Sequence, residues 1–143
     1  MRFNLLFALA VLIFVSPAFS QSTILGPIID LDVTSGYHLS TSIVLKGNVY
    51  IQDNAPARRI TIFVNDFSTR VTPEGNFAIS FPLASLHNDK GTVVTVRAFQ
   101  DRTNLIIENK FDLAELNSLL TNKITVQELK HIHNKLDFVE RYN

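Results

Sequence analysis

Between Pro27 and Phe111 apolar and polar residues alternate in short runs, broken at turn residues roughly every ten positions, and that rhythm suits short strands far better than helices. Residues 27–33 open the series. Residues 42–51 put Ile43, Leu45, Val49 and Ile51 on one face. Residues 59–65 set Ile60, Ile62 and Val64 against Thr61 and Phe63, and Asn65-Asp66 offers a turn. A short strand over 69–72 leads into Pro73-Glu74-Gly75-Asn76, a Pro-first tight turn, after which Phe77, Ile79, Phe81 and Leu83 align at period two, so the two segments predict a hairpin. Residues 92–100 turn Val94, Val96 and Ala98 inward, and residues 105–111 make the last strand. Seven short strands joined by Gly, Pro, Asn and Asp predict a mainly β fold, a two-sheet sandwich.

The start of the chain follows a different rule. Arg2 precedes an unbroken apolar run from Leu5 to Val15, and Ala18 and Ser20 are small residues placed as a signal peptidase requires. The pattern predicts a secretory signal peptide over residues 1–20, cut before Gln21. Eleven apolar residues fall short of the roughly 20 needed to span a hydrocarbon core, so no stable membrane insertion is expected after cleavage. Export implies a secreted or periplasmic protein. No Cys occurs, so neither disulfides nor a lipid-modified cysteine are available, and a bacterial source is expected.

Charge removes another class. The chain has 13 basic and 13 acidic residues with no basic stripe, which argues against nucleic acid as a partner.

After Phe111 the period changes to that of helices. Asp112 with Glu115 makes a capping box ahead of Leu113, Leu116 and Leu120, and Thr125 with Glu128 makes a second ahead of Leu129, Ile132, Leu136 and Val139. Residues 112–143 therefore predict a C-terminal helical hairpin following a sandwich over 21–111. Each helix has an apolar stripe to cover. Several strands also carry apolar residues on the face opposite their main inward set: Phe63, Val93, Phe99 and Ile106. A sheet apolar on both sides needs covering on both, so the tail is expected to fold back over that face. The alternative is that the face and the helical stripe of Leu129, Ile132 and Leu136 meet a partner.

A family resemblance rests on Leu45-Lys46-Gly47-Asn48-Val49, Ile60-Thr61-Ile62-Phe63-Val64-Asn65, Val71-Thr72-Pro73-Glu74-Gly75-Asn76-Phe77 and the run from Thr92 to Asp101. This succession, over residues 40 to 111, resembles the bacterial immunoglobulin-like domains of surface and adhesion proteins, and its rhythm is similar to that of transthyretin-like and carboxypeptidase-regulatory sandwiches. The resemblance implies a seven-stranded immunoglobulin-like sandwich acting as a noncatalytic module, and it carries over no functional residue. The chain departs from the family in being a single module with a helical tail.

Candidate chemistry is sparse. His131 and His133 are two apart on a predicted helix and point to nearly opposite sides, so they do not share a metal. Residues 117–128 have the outline of a calcium loop, but Leu119 stands where an oxygen donor belongs and Asn122 where the glycine belongs. His38 beside Tyr37, with Asp30 and Asp32, could line a cleft on a loop and an early strand, yet no nucleophile motif accompanies them. Tyr37, Tyr50 and Tyr142 are the aromatic platforms a carbohydrate would need. No cofactor, metal or catalytic residue is expected. The expected function is a protein-interaction or adhesion-type module; the alternatives are a secreted inhibitor acting through the loops at 66–70 or 87–91, or, further off, a small hydrolase or a carbohydrate-binding protein.

Overall fold

The computed structural model describes residues 26–86 and 93–142, without the side chains of 133, 136–138, 140 and 142. The predicted leader and the loop at 87–91 lie outside the described residues. Seven strands form two antiparallel sheets. β1 (Ile28–His38), β2 (Ser42–Ile51) and β5 (Asn76–Pro82) make one, in the order β1-β2-β5. β3 (Ile60–Val64), β4 (Phe67–Arg70), β6 (Val93–Gln100) and β7 (Leu105–Asp112) make the other, in the order β4-β3-β6-β7. Two helices follow, α1 (Leu113–Leu119) and α2 (Val126–Tyr142).

The core is what the alternation demands. Ile43, Leu45, Phe77, Ile79 and Phe81 from the smaller sheet meet Ile60, Ile62, Val64, Val94, Val96 and Ala98 from the larger one, and all are buried. Gln100 is buried too. Its amide donates to the Gly26 carbonyl at 2.9 Å while its oxygen accepts from Thr103 Oγ1 at 2.9 Å, so the polar group is satisfied and the chain entering β1 is tied to β6.

Two local expectations shift. β1 extends to His38, well past the predicted end at Val33. Its pairing with β2 slips between Val33 and Ser35, so Leu31 and Val33 face inward before the slip and Gly36 and His38 after it. That bulge flips the phase, which is why the strand looked finished. The second shift concerns the Pro73 turn. Gly75 adopts φ +93 and donates to the Thr72 carbonyl at 2.9 Å, as a tight turn requires. Yet β5 pairs with β2 and β4 with β3, so the turn carries the chain from one sheet to the other instead of closing a hairpin. β4 instead forms a hairpin with β3, closed by Asn65-Asp66 with Asn65 at φ 50.

The tail departs from the expected covering role. Asp112 caps α1 through the predicted box, accepting from the Glu115 amide while the Glu115 carboxylate accepts from the Asp112 amide. Because α1 starts at the residue after β7, no slack exists to wind round to the outer face. Instead α1 closes the side of the sandwich between β1 and β7, and Leu116, Leu120 and Ile124 join the core. The segment after α1 then lies along β1: Leu120 makes a parallel bridge to Gly36, the Thr121 amide donates to the Gly36 carbonyl at 3.1 Å, and Asn122 Nδ2 donates to the His38 carbonyl at 3.2 Å. α2 lies against the short 3-10 turn Leu83–Leu86. α1 thus packs against β1, β6 and β7, and α2 against the Leu83–Leu86 turn. No helix among the described residues is long and apolar enough to cross a membrane.

Candidate functional site

With the tail committed elsewhere, the outer face of the β4-β3-β6-β7 sheet stays open. Phe63 on β3 sits opposite Arg97 on β6, and Phe99 on β6 sits opposite Ile106 on β7. These four side chains line a groove of about 330 Å³. They project outward because Ile62 and Val64, Val96 and Ala98 take the inward positions on either side of them. Ile106 is 58% exposed, a high value for an apolar side chain amid other apolar groups.

Charge gives the groove a direction. Glu108, the cross-strand neighbour of Arg97, accepts from Lys110 Nζ at 2.9 Å. Arg97 forms no ion pair among the described residues, so its guanidinium is free to meet an incoming acceptor. The groove can therefore take apolar or aromatic groups against Phe63, Phe99 and Ile106 and an anionic or carbonyl oxygen against Arg97.

The residues proposed from sequence as a binding surface divide into two groups. Phe63, Phe99 and Ile106 come together as expected. Val93 lies on the same face and is exposed, but at the far end of β6 opposite Asp112, away from the groove. Leu129 and Ile132 belong to a separate region, half-buried at the margin of the core, and Ile132 with His131, Lys135 and Val139 borders a second groove of about 390 Å³ beside Ser40 and Thr41. The side chain of Leu136 lies outside the described residues. Arg97 was missed. Its signal was available, since the outward positions of β6 read Val93, Thr95, Arg97 and Phe99.

The other candidates do not assemble. His38 stands on β1, not on a loop, and turns inward, its Nε2 buried without a hydrogen-bond partner, whereas Asp30 and Asp32 point outward and are exposed. They share no cleft. Residues 117–128 form a helix–turn–helix in which Asn117 Oδ1 accepts from the Ile124 amide at 2.9 Å and Glu128 caps α2. No group of three His, Cys, Asp or Glu side chains gathers among the described residues. His131 is exposed, and the side chains of His133 and Tyr142 lie outside the described residues. The Lys46 ammonium sits 5.5 Å above the Tyr37 ring, and Tyr50 is exposed on the same three-stranded sheet. Residues 67–70, expected as part of a polar loop tip, are strand β4, which leaves Asn65-Asp66 as the tip, held by a bond from Asn65 Nδ2 to the Ser85 carbonyl at 2.8 Å.

Compared with family models, curated proteins and solved structures, the chain matches none.

Proposed function

We propose that this is an exported, noncatalytic protein-interaction module of immunoglobulin-like type, secreted or periplasmic and bacterial, that binds a protein partner through the outer face of its four-stranded sheet. The observation that carries the reading is the open groove of Phe63, Arg97, Phe99 and Ile106, an apolar surface with a guanidinium that has no ion pair among the described residues and that α1 and α2 leave uncovered. The leader pattern at residues 1–20 and the sandwich supply the context. The partner segment that fits is apolar with an acidic residue positioned for Arg97.

The test is affinity capture from the extracellular or periplasmic fraction with the native protein beside Arg97→Glu and Phe99→Ala. A protein retained by the native chain and lost by both variants, with circular dichroism unchanged, supports the assignment. Equal retention by all three baits overturns the assignment of the face. Turnover in a hydrolase panel that one point substitution abolishes overturns the noncatalytic reading, and retention of polysaccharide alone replaces the protein partner with a carbohydrate.

A further inference from the structure

Two sheets present four edges, and an unprotected edge is a template for another strand. Three of the four are blunted. β1 is broken by register shifts at Ile28/Asp30 and Val33/Ser35 and is bridged by Leu120. β4 has only four residues. β5 ends in Pro82 and shows the small or polar Asn76, Ala78 and Ser80 on its outward side. β7 differs from all three. Its register with β6 runs unbroken from Leu105↔Gln100 to Asp112↔Val93, and no strand pairs with its other edge among the described residues, although β1 packs beside it and Asn109 Nδ2 donates to the Leu31 carbonyl.

One hydrogen bond shows how that edge is oriented. The Asp112 amide donates to Glu115 Oε2 at 3.0 Å and so is turned away from β6. By the two-residue period of a strand, the amides of Ile106, Glu108 and Lys110 point the same way, along the free edge.

The side chains on this edge complement themselves. Glu108 and Lys110 are exposed, opposite in sign and two residues apart on one face. In an antiparallel pair of β7 strands related by a two-fold axis through Asn109, Glu108 of each copy faces Lys110 of the other, and Ile107 faces Phe111 on the inner side. Moving the axis to Glu108 sets Lys110 against Ile106, and moving it to Lys110 sets Glu108 against Asp112. Only the axis at Asn109 matches both charges. Where β7 ends, a groove of about 260 Å³ bordered by Lys110, Phe111, Glu115 and Leu119 leaves room for the arriving strand beside α1.

We infer that two copies of this chain associate edge to edge through β7, antiparallel about Asn109, joining their four-stranded sheets into one. This edge adjoins the groove of Phe63 and Phe99, with Ile106 common to both, but the pairing rests on backbone groups, Glu108 and Lys110 and does not depend on the groove's function.

Analytical ultracentrifugation of the protein, expressed as the full chain and recovered in whatever processed form it takes, tests the inference. The native protein is expected to show a concentration-dependent dimer. Glu108→Lys or Lys110→Glu alone sets like charges against each other at two symmetric positions and weakens the dimer by about tenfold or more, while the double exchange restores it. Hydrogen exchange on the native protein gives an independent reading: the amides of Ile106, Glu108 and Lys110 slow as concentration rises. A native protein that stays monomeric at every soluble concentration overturns the inference. So do single reversals without effect, a double exchange as weak as the singles, or a dimer that leaves those three amides unprotected.

Discussion

Two apolar surfaces of this molecule begin with similar residues and end differently. At the side of the sandwich, Leu116, Leu120 and Ile124 fill the opening between β1 and β7 and are buried. On the outer face of the larger sheet, Phe63, Phe99 and Ile106 gather just as closely and are left open. The difference lies in how the chain reaches each place. α1 follows β7 without a linker, so its first apolar residues enter the nearest gap, and the chain beyond runs along β1 and seats α2 on the Leu83–Leu86 turn instead of on the outer face. Apolar area invested at the first surface holds the fold; at the second it is available to a partner.

The largest expected effect separates the two directly. Leu116→Ala removes a fully buried side chain and is expected to cost about 2–5 kcal/mol of unfolding free energy. Phe99→Ala on the open face is expected to cost about 1 kcal/mol, the scale of a cross-strand pair. Urea unfolding followed by circular dichroism measures both. Equal losses would erase the distinction and make the outer face a second structural surface.

A smaller effect sharpens the comparison at the tail's seat on β1. A methyl group on Gly36 would lie 2.6 Å from the Val44 carbonyl and 2.9 Å from side-chain carbons of both Leu45 and Leu120. Those contacts are too short; the Leu120 side chain can withdraw, but the Val44 carbonyl is backbone, so the β1–β2 pair must shift as well. Gly36→Ala is therefore expected to cost about 1–3 kcal/mol, as overpacking does, and to speed hydrogen exchange at the Thr121 amide, which bonds to Gly36. A stable variant with unchanged Thr121 exchange would show that the seat tolerates the added volume.

Particular residues show what was legible beforehand. The inward sets of β2, β3, β5 and β6, both capping boxes and the Asn65-Asp66 turn rest on local chemistry, and each appears in the structure as the spacing implied. The grouping of Phe63, Phe99 and Ile106 followed from knowing which strands share a sheet. What escaped depends on long-range pairing. The slip at Val33/Ser35 reverses the phase of β1 and conceals that His38 is an inward residue of a strand. The Pro73 turn has the chemistry of a hairpin, yet β4 is already paired back to β3 and β5 pairs with β2, some thirty residues earlier in the chain. The tail's destination depended on a missing linker, not on the composition of its apolar stripe.

The smallest expected effect concerns the exposed cap at the start of α2. The Thr125 amide donates to Glu128 Oε2 at 2.7 Å and the Thr125 hydroxyl to the same oxygen at 2.8 Å, which together hold the Glu128 carboxyl below the usual carboxylate range, the backbone bond contributing most. A carboxyl depressed in the folded state contributes stability that is present above its unfolded value and fades as pH falls through the folded one. Acidification through that window is therefore expected to loosen the first turn of α2, seen as faster exchange at the Glu128 amide, which donates to Thr125 Oγ1 at 3.2 Å. Glu128→Gln should remove the carboxyl's part of that pH dependence. The residues lining the groove of Phe63 and Phe99 include no such carboxyl, so hydrogen exchange at the β6 amides beneath it should hold through the same window while α2 frays. If exchange on β6 quickens in step with that at Glu128, the helix and the sheet open as one unit, and the separation between covered and uncovered regions fails.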